Sequence, residues 1–157
     1  MSAWGVGTFE DDIACDWLED LHESDPLAFL QHCLDLTGHE YLEYLACIGV
    51  VCSAELVHGL HASPRAGLPS SFNTWCREHR DMNVTEMLPD AIAGLRRVLG
   101  PESEMRERWD DNEELSEPWH QNARGLLQLL LADQKESQTR LVDGLNRKDA
   151  DDSGGKG

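Results

Sequence analysis

Glu55, His58 and His61 form a Glu-x-x-His-x-x-His run. On a helix, residues three apart are neighbours, so the carboxylate and both imidazoles would share one side. Such a set is a candidate ligand group for a divalent metal. Di-metal carboxylate bundles carry Glu-x-x-His on two helices together with two further Glu residues. Only one such motif is present here, and the His-Glu-x-x-His of zinc proteases is absent. Glu40 and Glu43 lie several turns away on roughly the same side. The run therefore supports, as one alternative, a metal-dependent hydrolase using Glu55, His58 and His61 with acids from another helix. The plainer reading sets the two histidines at a helix end, where they meet the last carbonyls. Under it no metal and no cofactor is expected.

Glu55 is notable by itself, because it sits inside a nearly all-apolar stretch. A buried carboxylate is costly unless hydrogen-bonded. It is expected to tie its helix to the Trp4-Gly5-Val6-Gly7 turn, through backbone N–H groups or a tryptophan indole. A catalytic carboxylate with a raised pKa is the rival reading. The turn itself has two glycines, which permit positive φ or close backbone approach. A glycine-rich turn entering a helix can cradle an anion, but Glu10, Asp11 and Asp12 would repel one, and neither a P-loop lysine nor a preceding strand is present. The turn is expected instead to tuck Trp4 and Phe9 into the core.

The five cysteines, Cys15, Cys33, Cys47, Cys52 and Cys76, fall mostly at apolar helix positions and form no Cys-x-x-Cys pair. They read as reduced, buried thiols. An acidic surrounding raises thiol pKa, and a nucleophile needs the opposite. Cys76, near Arg77, His79 and Arg80, is the best placed if one exists. Trp4, Trp17, Trp75, Trp109 and Trp119 read as core, with one or two available as exposed anchors for a partner.

These residues must be positioned by helices. Apolar residues recur at helical spacing almost throughout, and no alternating strand pattern or Asn-Gly hairpin signal appears. Thr8, with Asp11 three residues on, reads as the N-cap of a first helix whose stripe is Phe9, Ile13, Trp17 and Leu21. Pro26 opens a second helix that stops before Gly38. A third, from about Glu40 to His61, is apolar all round and should be central and buried. Shorter helices follow from Ser70 or Ser71, around Met87–Leu99 with an irregular first turn at Pro89, and over about Glu102–Trp109. A last long helix begins at Ser116-Glu117-Pro118-Trp119 and continues or breaks near Asp133. The expectation is an all-α single domain over 1–146, six to seven helices around the third, and a disordered acidic, glycine-containing tail over 147–157.

The chain of 157 residues has 30 Asp and Glu against 13 Lys and Arg, a net charge of −17. Residues 1–64 hold 12 of the acids and no Lys or Arg. Arg96-Arg97 and Arg106 with Arg108 could answer that acidic part internally. The balance argues against direct binding to nucleic acid or an anionic membrane. No apolar run approaching 18 residues is seen, so no membrane span is expected. The opening Met1–Gly5 lacks a signal-peptide pattern, so a cytoplasmic location is expected.

The segment Trp4-Gly5-Val6-Gly7-Thr8-Phe9-Glu10-Asp11-Asp12-Ile13-Ala14-Cys15-Asp16-Trp17 resembles the WGxGxF…DxAxDW entrance of a bacterial family, domain of unknown function 4259. Further matches follow in the family's order: Ser53-Ala54-Glu55-Leu56-Val57, Leu68-Pro69 with Trp75, Ala91 with Leu95 and Val98, Ser103-Glu104 with Trp109, and Trp119. They span about residues 4 to 131. The resemblance implies a single bacterial cytosolic helical domain and no particular activity. It marks Trp4, Gly5, Gly7, Phe9, Asp12, Asp16, Trp17 and Glu55 as structural or binding candidates. With no complete catalytic set and a polarised charge, the chain reads as a non-enzymatic interaction protein of inhibitor, immunity or adaptor type with a basic protein partner. A nucleic-acid mimic, with acids in place of phosphates, is a third reading.

Overall fold

Every residue from Cys47 to Leu60 is buried, and the helix that carries them is the centre of the molecule. The computed structural model describes the backbone of residues 3–154 and the side chains of residues 3–145. In chain order the helices are α1 (Asp12–His22), α2 (Pro26–Leu34), α3 (Tyr44–His61), α4 (Ser70–Glu78), α5 (Leu88–Val98), α6 (Glu104–Asp110) and α7 (Ser116–Gly154), with a 3-10 turn, Thr85–Met87, leading into α5. All six other helices pack on α3. The described residues hold no strand, only isolated bridges between Ala3 and Asp11 and between Leu42 and Ser103. The fold is all-α, as expected.

The 18 residues of α3 are long and apolar enough, by length and composition, to cross a membrane. That corrects the expectation that no apolar run approaches this length. Here the apolarity serves the core, since helices cover α3 all round. Its last carbonyls are also answered: the Arg80 guanidinium donates to the carbonyl oxygens of Gly59 at 2.9 Å, Leu60 at 3.3 Å and Ala62 at 3.2 Å. A cation there meets both the unsatisfied carbonyls and the negative end of the helix dipole. Against α5 the approach is close. A Cβ added at Gly94 would lie 2.9 Å from Val50 Cγ1.

Three helix starts differ from the sequence reading. α1 is capped by Asp11, whose side chain accepts from Ile13 N at 2.7 Å, and not by Thr8, which is buried. α3 starts at Tyr44 rather than Glu40, because Leu42 is held extended: Leu42 N donates to Glu102 O and Glu104 N to Leu42 O, both at 2.9 Å. α6 starts at Glu104, capped by Ser103, whose hydroxyl accepts from Arg106 N at 3.2 Å. At the other end, α7 runs past Asp133 without a break and on to Gly154, into the stretch from 147 expected as a tail. No proline interrupts that stretch, and each added residue extends a helix at little cost once it is nucleated. Residues 155–157 of that tail lie outside the described residues.

Of the four arginines expected to answer the acidic part, Arg97 and Arg108 reach it, and through neutral groups. Arg97 donates to the carbonyls of His39 and Glu40. Arg108 lies over the Tyr44 ring, 4.4 Å from its centroid, and pairs with Glu104 of its own helix. Arg106 reaches Leu99 O at 2.8 Å and Asp110. Arg96 is exposed.

Candidate functional site

The Glu55 carboxylate is 0% exposed. Thr8 Oγ1 donates to its Oε1 at 2.8 Å. The Arg65 guanidinium clamps it with Nε to Oε2 at 2.9 Å and Nη2 to Oε1 at 2.6 Å. A planar guanidinium meets two carboxylate oxygens at once, so the pair is well oriented as well as charged. Arg65 Nη1 continues to Asn122 O at 3.1 Å, and Asn122 Nδ2 donates to Val6 O at 3.3 Å. Glu55 thus joins the N-terminal turn, α3, the loop after α3 and α7. Its partners are a hydroxyl and an arginine, where the sequence reading looked to backbone N–H groups or an indole. The space beside the turn, bounded by Tyr44, Trp109 and Trp119, is about 30 Å³, too small for a substrate.

The Trp4–Gly7 turn is closed by Trp4 N to Glu10 O at 2.9 Å and Glu10 N to Gly7 O at 3.0 Å. Neither Gly5 nor Gly7 has a positive φ. The glycines make room for the Glu10 side chain, which a Cβ on Gly5 would meet at 1.8 Å from Oε2. Phe9 is buried against Phe72 and Trp17, with centroids 5.1 and 6.4 Å away. Trp4 is not tucked into the core: it is 60% exposed. The tight turn reverses the chain so that the residues on either side of it differ in depth, and only Phe9 faces α4. Trp17, Trp75, Trp109 and Trp119 are all buried.

The Glu-x-x-His-x-x-His run divides its partners. Glu55 turns to Thr8 and Arg65, while His58 Nδ1 lies 2.6 Å from Asp133 Oδ2 of α7. His61 is half-buried near Asp133 and Glu136. Cys76 is fully buried, and burial pushes its thiol up to about 11 despite Arg80 nearby, so it has no nucleophile character. Burial likewise raises the thiols of Cys15, Cys47 and Cys52.

Asp12 and Asp16 are exposed on α1. Asp16 belongs to a groove of about 860 Å³ between α1, α2 and the start of α3. Asp20, Asp35 and Glu43 add three more acids to its wall, and Trp17 and Phe29, tilted against each other with centroids 5.3 Å apart, give an apolar floor. Leu45 stands on it 70% exposed. Among the described residues, no Lys or Arg lines it.

The family model described as Domain of unknown function (DUF4259) matches residues 2–122. The chain belongs to this family. No curated protein and no solved structure matches it. The DUF4259 match covers the turn, Glu55, Arg65, both histidines and the groove, and ends inside α7. Asp133 and Glu136 lie beyond the DUF4259 match. Within the DUF4259 region the sequence reading missed Arg65, which sits in a loop without any pattern. It also missed Asp133, for which a signal existed: Trp119, Ala123, Leu126, Leu130 and Asp133 recur at spacings of four and three, so the acid holds an inward position.

Proposed function

We propose that this domain is a non-enzymatic interaction module that takes a basic, amphipathic segment of a protein partner into the groove between α1, α2 and α3. The observation that carries the reading is the groove's lining: four carboxylates around an apolar floor, with His32 and His39 as its titratable bases and, among the described residues, no Lys or Arg. Apolar anchors set in a charged rim are what a protein-binding surface uses for affinity and for steering. The groove also lies wholly in the part of the chain that has no Lys or Arg. Glu55 supports the same reading, since its carboxylate is committed to Arg65 and Thr8 and is sealed from solvent. An adaptor or inhibitor role suits such a module.

The test is chemical-shift mapping of the isotopically labelled full chain with a synthetic Lys/Leu amphipathic helix, and with its Glu/Leu counterpart. Shifts concentrated on the Trp17 indole, Phe29 and Leu45, weakening as salt rises and lost in Asp16→Lys/Asp20→Lys, are the expected result. Equal binding of the acidic peptide, or shifts on another face, would overturn the proposal.

A further inference from the structure

A second feature lies at the far end of α3. His61, Asp133 and Glu136 each offer one donor atom, and these atoms lie within 4.8 Å of one another. Two rigid helices supply them. On α3, His58 and His61 are three residues apart, and on α7 so are Asp133 and Glu136, so each pair points one way. Asp133 is buried, at a position where the rest of the stripe is apolar. An acid in such a place needs a reason. His58, itself buried, engages one oxygen of Asp133 at 2.6 Å and fixes the carboxylate's orientation. Hydrogen-bonded support of a ligating carboxylate is characteristic of metal sites.

We propose that His61, Asp133 and Glu136 bind one divalent transition-metal ion of the zinc type, with His58 as a positioning residue acting through Asp133. The donor set selects the class. An imidazole with two carboxylates suits zinc and its neighbours, whereas magnesium and calcium take oxygen donors. Three protein donors leave a fourth position of a tetrahedral ion open to water. Bonds of about 2.1 Å bring donors to about 3–4 Å from one another, a closure that the exposed Glu136 side chain makes by rotation. The competing cation is Arg140, which pairs with Glu136 one turn along α7. Both side chains are exposed, so the pair is weak and gives way to a dication. This site uses the histidines singled out in the sequence but replaces Glu55 with two acids of α7. It is independent of the groove.

The experiment uses the full chain without an affinity tag, stripped with chelator and dialysed. Zinc sulfate is titrated by calorimetry, with native mass spectrometry for stoichiometry and magnesium chloride as the comparison ion. One zinc per chain is expected, with no uptake of magnesium. His61→Ala and Glu136→Gln alter solvent-accessible side chains and should keep the helical circular dichroism while weakening zinc binding at least tenfold. His58→Gln should weaken it by about tenfold or more without removing a ligand. Arg140→Ala should tighten it about twofold, the weight of a surface pair. Absence of zinc binding by the wild-type chain would overturn the proposal. So would zinc binding of unchanged affinity in folded His61→Ala and Glu136→Gln, which would place the ion on the cysteines or other histidines.

Discussion

Replacing Glu55 by Gln keeps the side chain's shape but removes the charge opposite Arg65. Breaking one side of a buried pair leaves the other charge without compensation, so Glu55→Gln should lower the unfolding free energy by about 3 kcal/mol. Thr8→Val removes a single neutral donor to the same carboxylate and should cost about 1 kcal/mol. Urea unfolding reads both, and equal, negligible losses would show that the tie is not stabilising. The two tyrosines give a second check. The Glu107 carboxylate, accepting from Tyr41 at 2.9 Å, holds that phenol up to about 12. Burial, then the hydrogen bond to Asp11, pushes Tyr44 higher still. Each phenol keeps its proton above pH 10, where the unfolded chain gives it up, so stability should fall as pH climbs past about 10. Absorbance at the phenolate band should stay flat to that point and then rise together with loss of helix. An early, separate phenolate step would contradict the placement of both rings. At this scale the sequence was partly legible. A lone acid in an apolar helix announced that Glu55 must have a partner, yet nothing local named Arg65, whose position is set by a loop. Thr8 read as a cap because its spacing to Asp11 is right for one. A carboxylate 47 residues away took the hydroxyl instead.

Between elements, α3 and α5 meet where Gly94 faces Val50. Gly94→Ala should destabilise the fold by about 1–3 kcal/mol through overpacking, although alanine is the better helix former. Val50→Ala in the same chain removes the methyl that would clash, so the double variant should lose clearly less than the two single losses combined. Strict additivity in chemical denaturation would mean that the helices can slide apart freely. The helices themselves were legible because periodicity of apolar residues is a local property, and α2, with Pro26 at its first turn, begins where the sequence placed it. Their starts were less so, because pairing decides them. Leu42 continues the helical pattern of α3, but its backbone groups are taken by the segment before α6. The groove left no trace in the sequence, since it exists only where α1, α2 and α3 splay apart.

For the whole molecule, a charge of −17 repels itself. Raising salt from about 10 mM to about 150 mM shortens the screening length from about 30 Å to about 8 Å and should raise the melting temperature. A lower one would mean that the ion pairs outweigh the repulsion. The charge asymmetry was legible from the order of residues alone, whereas its answer was not: Glu55, within the first 64 residues, is met by the first arginine of the chain, Arg65. Distant parts of the chain are also joined, as Asn122 donates to Val6 O across 116 residues. That bond has a consequence in time. A ribosome adds about 5–20 residues per second, so the amino-terminal turn leaves the exit tunnel on the order of ten seconds before Asn122 exists to hold it. Until then Val6 O waits without its partner from α7, and a segment made early is fastened late.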